Sequence, residues 1–192
     1  MSVVKIYTTD NILGRAIQSY IKSILDNVFT LGSSTFVLTE PSSSTDVIFI
    51  NLISSQISPL TIIKHINAMF MGGDNMNIAI IVDSNDVIIY KNILLNKNVV
   101  ILDLNAPLSA YNEALNKRFS TSDDLNKNNR LTRKERTVFS FLLNGCSIPD
   151  ISKRLQCDSK TIYTHRANII KKTNLKNTMK LNESIARLNN AG

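Results

Sequence analysis

Apolar residues in the first 119 positions follow two different spacings. Short continuous apolar runs such as DVIFIN at 46–51 are typical of strands buried on both faces of a parallel sheet. The i, i+3, i+4 spacing at 11–25 is typical of a helix. Strands are predicted at 3–9, 36–38, 46–51, 77–82 and 99–104, and helices at 11–25, 59–70, 86–96 and 107–119. This alternation predicts an α/β domain built on a five-stranded parallel sheet.

The pattern changes after residue 119. Residues 120–130 are polar, with Leu125 as the sole aliphatic side chain, which indicates a linker. Residues 131–192 then contain four short amphipathic segments. The chain is therefore predicted to contain an α/β domain at 1–119, a linker at 120–130 and an all-α, four-helix domain at 131–192.

Helix-capping residues divide the second domain into successive helices. Thr132 and Glu135 match the capping box S/T-x-x-E, and Gly145 predicts the end of that first helix. The next two helices are predicted after the caps Ser147 and Asp158, at about 148–155 and 159–172. Two short helices with so few residues between them must cross steeply, as in a helix-turn-helix.

The distribution of charge indicates a polyanionic partner for the second domain. Residues 1–127 contain nine Lys and Arg against eleven Asp and Glu, whereas residues 128–192 contain thirteen against four. The net charge of +7 therefore comes from the C-terminal part of the chain. A basic surface that only keeps the protein in solution is the alternative interpretation, and double-stranded DNA is the partner that the helix pattern favours.

The third helix of this domain, at 159–172, has an unusual polar face. Its members are too many and too polar to be core, and few have an acidic residue four positions away. They are Lys160, Tyr163, Thr164, Arg166, Ala167, Lys171 and Lys172. In a major groove, the side chains of the first two turns would meet base edges while flanking cations would meet phosphates.

Residues 131–188 resemble the LuxR/GerE-type helix-turn-helix domain of bacterial transcription factors. LTRKER resembles the opening LTxRE, DISKRL resembles the scaffold helix EIAxxL, and SKTIYTHRANIIKK resembles the recognition helix TVxxHxxNIxxK. The closing LKNTMKLNESIARL corresponds to a fourth helix, which in the family forms a dimer contact. Thr173 stands where the family usually has Leu, and Asn174 where it usually has Gly.

The resemblance implies roles for individual residues. Tyr163, Thr164 and Ala167 take the base-facing positions, and Ala167 is short enough to pack on a thymine methyl group. His165 is implied to support the packing of the helix rather than catalysis. The implied DNA-binding residues are Lys160, Thr161, Tyr163, Thr164, Arg166, Ala167, Lys171, Lys172 and Lys176, with the phosphate contacts made by Lys160, Arg166, Lys171 and Lys176.

The first domain resembles the receiver domain of response regulators, with its phosphorylation pocket altered. A working receiver has an acidic pair after strand one, a phosphoacceptor Asp after strand three, a Ser or Thr after strand four and a Lys after strand five. The corresponding positions hold Asp10 alone, Asn51, Ser84 and Ala106. Because an amide cannot act as the carboxylate nucleophile, we predict a non-functional pocket, as in the degenerate, RcsA-like receivers of enterobacterial regulators.

This resemblance implies a bacterial transcription regulator that binds a pseudo-palindromic DNA site as a dimer without phosphorylation. It also implies contact with RNA polymerase, and pairing either with itself or with a second regulator. An auxiliary regulator that acts mainly through heterodimerisation is the alternative. The last helix of the first domain has apolar residues that suit either pairing or plain core packing, namely Leu108, Tyr111, Leu115 and Phe119.

Enzymatic and membrane functions find no support in the sequence. The chain contains no GxGxxG, P-loop or GxSxG motif and no cluster of metal ligands, so we expect no catalytic residue, cofactor or metal. The opening MSVVKIYTTD lacks the apolar stretch of a signal peptide, and no apolar run is long enough to span a bilayer. Cys146 and Cys157 are expected to be free thiols, and the protein is expected to be cytoplasmic.

Overall fold

A parallel sheet of five strands forms the centre of the first part of the chain. The computed structural model describes residues 4–9, 11–24, 28–32, 47–53, 55–71, 77–95, 99–115 and 129–190. In chain order the strands are Val4–Thr8 (β1), Val28–Gly32 (β2), Val47–Asn51 (β3), Asn77–Val82 (β4) and Val99–Asp103 (β5). Their order across the sheet, β2-β1-β3-β4-β5, is the doubly wound order of one common α/β fold.

Burial explains the continuous apolar runs of the central strands. All five residues of β3 are buried, and so are five of the six residues of β4. Both faces of these strands are covered, so that no position along them needs a polar side chain. The α/β fold class and four of the five predicted strands are therefore confirmed.

The second strand of the sheet is not the one that the sequence predicted. The edge strand that pairs with β1 is Val28–Gly32. The predicted strand at 36–38 lies outside the described residues. In VFTLG a threonine and a glycine interrupt the apolar residues, so this segment lacks the continuous run that marks the central strands.

Four helices cover the two faces of the sheet: Ile12–Ile24 (α1), Pro59–Met71 (α2), Val87–Ile93 (α3) and Leu108–Leu115 (α4). Helices α1 and α4 pack on one face and α2 and α3 on the other. Tyr111 and Leu115 belong to the core between α4 and the sheet, while Leu108 is exposed. The apolar residues of this helix therefore act mainly in packing; Phe119 lies outside the described residues.

Helix α3 ends earlier than the predicted residue 96. Leu94 already has extended backbone angles, and Asn67 of α2 holds the chain there. Its side-chain amide donates to the carbonyl of Ile93 at 3.0 Å, and its oxygen accepts from the N–H of Leu95 at 3.0 Å. A side chain from a neighbouring helix thus satisfies the end of α3, which no local pattern in the sequence shows.

The C-terminal part of the chain is a four-helix unit. Its helices are Arg133–Leu143 (α5), Ile148–Leu155 (α6), Ser159–Lys172 (α7) and Thr178–Asn189 (α8). The capping box of Thr132 and Glu135 is formed, and Ser147 caps α6. Asp158 occupies the N-cap position of α7 without a side-chain cap hydrogen bond. The predicted bounds of α6 and α7 are confirmed.

Three of these helices end in the same way. Gly145, Gln156 and Asn174 have left-handed φ angles of 74°, 51° and 55° and follow α5, α6 and α7. The N–H of the next residue then donates to a carbonyl of the last turn: Cys146 to Phe141, Cys157 to Ser152 and Leu175 to Ile170. This is the Schellman motif, and it lets the chain reverse sharply after each helix. Asn tolerates the left-handed region, which explains Asn174 at the family's Gly position.

The two parts of the chain contact each other through α2 and α3. The side chain of Asn92 in α3 accepts from the N–H of Leu131 at 2.9 Å and donates to the carbonyl of Asn129 at 3.2 Å. Asp86, at the start of α3, accepts two hydrogen bonds from Arg187 of α8, at 2.7 and 3.1 Å. An apolar cluster runs from the sheet through α2 to α8, so that the two cores are continuous.

We expect Arg187→Ala to destabilise the protein by about 1–2 kcal/mol, because it leaves the Asp86 carboxylate without its cation. The side chain of Asp86 is only 8% exposed, whereas that of Arg187 is 50% exposed. Asp86→Asn should therefore lower the free energy of unfolding, measured with urea, by less than Arg187→Ala does. The control is Lys180→Ala, which removes an ion pair with Glu183 whose two side chains are both well exposed. A cost for Arg187→Ala no larger than that of the control would contradict this interpretation.

Candidate nucleic-acid interface

Helix α7 is held by one buried stripe. Ile162 and Ile169 are fully buried, and Thr173, just after the helix, is 2% exposed. The two isoleucines pack with α5 and α6 in one apolar cluster. The hydroxyl of Thr173 donates to the carbonyl of Ile169 at 2.7 Å, so that the polar side chain is accommodated where the family usually has Leu.

A buried ion pair connects the end of α7 to the start of α5. The ammonium of Lys172 donates to Oε2 of Glu135 at 2.7 Å. The same oxygen accepts from the N–H of Thr132, also at 2.7 Å. Glu135 is 5% exposed in this pair and Lys172 is 22% exposed. The sequence analysis placed Lys172 on the DNA-binding face. In the structure its side chain turns inward instead, because it pairs with Glu135 of α5.

The electrostatics of Glu135 follow from these contacts. Burial by itself raises the pKa of the Glu135 carboxyl, since the charged form is removed from water. The hydrogen bonds from Lys172 and Thr132 favour the charged form and outweigh burial, so that the pKa lies below its ordinary value. Glu135 is thus a charged capping residue that fixes two helices.

The opposite side of α7 faces solvent. Lys160, Thr164, Ala167 and Lys171 are all exposed and lie along the centre of this side. With 3.6 residues per turn, these positions are turned away from the stripe of Ile162 and Ile169. We call these four residues the outer stripe.

Further predicted residues lie beside the outer stripe. Thr161 is exposed on one side, and Tyr163 is 51% exposed on the other. The guanidinium of Arg166 stacks over the Tyr163 ring at 4.9 Å from its centre. Lys176, in the segment between α7 and α8, is also exposed. The predicted residues Lys160, Thr161, Tyr163, Thr164, Ala167, Lys171 and Lys176 are thus exposed, whereas Arg166 and Lys172 are partly buried.

Asn168 was missed by the sequence analysis. It is exposed at the edge of the outer stripe, on the same side of α7 as Thr161 and one turn after Thr164. Its spacing of four residues from Thr164 would have placed it there. An amide on this surface offers a donor and an acceptor to a base edge, as Asn does with adenine.

His165 has a packing position rather than an exposed one. The imidazole is partly buried on the side of α7 that faces the domain. Among the described residues its Nδ1 has no hydrogen-bond partner, and this atom is buried.

A second polar region lies at the carboxyl edge of the sheet, where the resemblance places a phosphorylation pocket. Asn51 is 4% exposed. Its amide donates to the hydroxyl of Thr8 at 3.1 Å, and its oxygen accepts from the N–H of Ile53 at 3.0 Å. The amide is thus engaged by its neighbours at the position of the phosphoacceptor. Asp10 lies outside the described residues.

The adjacent strands end in a second hydrogen-bonded group. The hydroxyl of Ser84, which is exposed, donates to Oδ1 of Asp103. Asn105 donates its side-chain N–H to Ser84 at 2.9 Å and its backbone N–H to Asp103 at 2.8 Å. A carboxylate at the end of β5 lies near the place where a receiver has its Lys, so that the local charge there is negative instead of positive.

Within the described parts of the chain, no group of three or more His, Cys, Asp or Glu is arranged to hold a metal ion. Cys146 and Cys157 are free and partly buried. Within the same ranges, every helix is too short or too polar to cross a bilayer.

Fold and site together define an architecture in which a doubly wound α/β domain precedes a helix-turn-helix domain. Residues 129–184 match the family described as "Bacterial regulatory proteins, luxR family". This part of the chain is therefore a LuxR-family domain, as its motifs predicted. No curated protein matches the chain.

Solved structures with this fold include complexes of RcsB. The structure of two RcsB dimers bound to two parallel DNAs is 21% identical, with 98% of this chain and 100% of that chain covered and a TM-score of 0.54. RcsB from Salmonella enterica serovar Typhimurium, bound to promoter rprA in the presence of the phosphomimetic BeF3-, is 20% identical, with 98% and 99% covered and a TM-score of 0.52. At this identity the likeness establishes the fold alone.

We expect the capping carboxylate to make stability depend on pH. Because the pKa of Glu135 is lowered in the folded protein, its stabilisation is present above the pKa of the unfolded chain. It is lost as the pH falls through the lower, folded value. Glu135→Gln should therefore destabilise the protein at pH 7 and much less at pH 3, as measured by urea unfolding.

The matched control is Glu113→Gln, which changes an exposed carboxylate of α4. The difference in free energy of unfolding between this variant and the wild type should not shrink as the pH falls. If the free energy of unfolding of Glu135→Gln differed from that of the wild type by the same amount at pH 7 and pH 3, the assigned charge on Glu135 would be contradicted.

Proposed function

We propose that this protein is a bacterial transcription regulator that binds double-stranded DNA through α7. Residues 1–119 would form its receiver-like domain, 120–130 its linker and 131–192 its DNA-binding domain. The observation that carries the proposal is the outer stripe, which has a lysine at each end and short side chains between them. The LuxR-family match at 129–184 and the RcsB–DNA complexes of the same fold support it.

The dimensions of the outer stripe suit a major groove. Lys160 and Lys171 are separated by eleven residues, which corresponds to roughly 16 Å along a helix axis. The major groove is about 12 Å wide, so lysines at this separation are able to reach phosphates on its two sides. The short Thr164 and Ala167 between them permit a close approach to the base edges.

The proposed DNA-bound form is a dimer on a pseudo-palindromic site. One such helix contacts few base pairs, and two copies related by a two-fold axis double the contacts. Helix α8 offers a surface for this contact. Leu181 and Leu188 face inward and are buried, whereas Met179, Asn182 and Ala186 form an exposed side opposite to them.

DNA binding is proposed to be independent of aspartyl phosphorylation. Asn51 replaces the carboxylate nucleophile, and its amide already bonds to Thr8 and Ile53. The nearby Asp103 would repel a phosphoryl group rather than pair with it. Both features support DNA binding that does not depend on a phosphoryl group at this edge of the sheet.

We expect two substitutions on α7 to have different effects on DNA binding. Lys171→Ala should weaken binding to all sequences, because it removes a phosphate contact. It should also make the slope of log affinity against log salt concentration, the salt slope, shallower by about one. Tyr163→Ala should change the preferred sequence, because Tyr163 lies at the base-facing edge. Mobility-shift titrations at several salt concentrations, on the selected site and on scrambled duplexes, measure both effects.

The control for charge is Lys22→Ala, which removes an exposed lysine from α1. It should leave the affinity and its salt slope unchanged. Beryllofluoride with Mg²⁺ should change none of the titrations. Equal losses on every sequence for Lys171→Ala and Tyr163→Ala would refute the assigned roles.

We expect Met179→Glu to shift the protein toward monomer in sedimentation experiments and to weaken binding to a palindromic site at least tenfold. A charge at the centre of the exposed side of α8 would be buried without a partner in the dimer. Leu95→Glu is the control, because Leu95 is 60% exposed and Met179 is 61% exposed. Equal effects of both variants would contradict the α8 dimer.

A monomer that binds duplex only beside a second regulator would establish the heterodimer alternative.

A further inference from the structure

The centre of the outer stripe presents methyl groups. Thr164 and Ala167 lie between the two lysines, one turn apart and both exposed. The hydroxyl of Thr164 donates to the carbonyl of Lys160 at 3.0 Å, one turn earlier in the same helix. Its hydrogen is therefore already used within α7. The apolar group that Thr164 still offers is its methyl, and Ala167 has nothing else to offer.

The longer polar side chains are placed at the sides of this centre. Arg166 is partly buried, and its guanidinium lies against the Tyr163 ring at 4.9 Å. This contact holds the Arg166 guanidinium beside Tyr163 at the side of α7, away from the centre of the outer stripe. The amide of Asn168 lies at the opposite edge. The centre of the outer stripe therefore offers two methyl groups and no free donor, with the oxygen of Thr164 as its one side-chain acceptor.

In the major groove the apolar feature of a base pair is the 5-methyl group of thymine. We infer that Thr164 and Ala167 are specificity-determining residues that read thymine methyl groups, so that each half-site contains a required thymine under the centre of α7. This inference rests on the proposed DNA binding and specifies its sequence preference. Burial of one methyl group is worth about 0.8 kcal/mol, or nearly fourfold in affinity.

The test replaces single thymines with deoxyuridine in a duplex site obtained by selection with the full-length protein. This change removes one methyl group and leaves every hydrogen-bonding group of the base pair in place. At one or two positions in each half-site the affinity should fall about threefold to fourfold. At the other thymines it should remain the same.

Two substitutions at Thr164 separate its methyl from its hydroxyl. Thr164→Val keeps a methyl group and should retain both the affinity and the deoxyuridine penalty. Thr164→Ser keeps only the hydroxyl, so that it should bind the thymine site more weakly and lose the penalty at the thymine that Thr164 contacts. Thr164 is exposed, so neither change disturbs the buried stripe of α7.

The reverse pattern, with Thr164→Val weak and Thr164→Ser normal, would show that the hydroxyl reads the base and would overturn the inference. Salt-sensitive binding with no deoxyuridine effect at any thymine would overturn it as well, while the proposed DNA binding would stand. An absence of salt-sensitive binding to any duplex, with or without a second regulator, would overturn the proposed function together with this inference.

Discussion

The carboxylate of Glu135 joins the start of α5 to the end of α7. It accepts the N–H of Thr132 at the start of α5 and the ammonium of Lys172 at the end of α7. Between these ends, Ile162 and Ile169 anchor α7 in the core. With its end and its inner side both held, α7 cannot rotate about its axis, and the outer stripe keeps one orientation. Recognition of a groove depends on that constraint, because a helix of variable orientation would present no constant set of side chains.

Helix α8 has one side that packs against the first domain and another side that stays exposed. One side contributes Ser184 and Arg187, which meet Asp86 at the start of α3, so that the helix is packed against the first domain. The side centred on Met179 and Ala186 remains exposed. Packing within the chain therefore leaves the proposed dimer surface of α8 open. Asp86 itself is 5% exposed, which is tolerated because Arg187 supplies the opposite charge.

Local patterns predicted most of the fold, and distant partners account for what they missed. Caps and apolar spacing placed α6 and α7 at their observed bounds, because the signals lie within one or two turns. The early end of α3 depends on Asn67 of another helix, and the inward turn of Lys172 depends on Glu135, 37 residues away. Neither pairing leaves a trace in local spacing. Strand β2 was missed because VFTLG lacks a continuous apolar run.

The carboxyl edge of the sheet bears on how such a protein would be controlled. Asn51 uses its amide with Thr8 and Ile53, and Ser84 uses its hydroxyl with Asp103 and Asn105. A phosphoryl switch works by adding negative charge beside cations that then rearrange, and here the neighbouring groups are amides, hydroxyls and a carboxylate. The turn that contains Ser84 also contains Asp86, which pairs with Arg187 of α8. In this chain that turn therefore links the carboxyl edge of the sheet to the contact between the two domains.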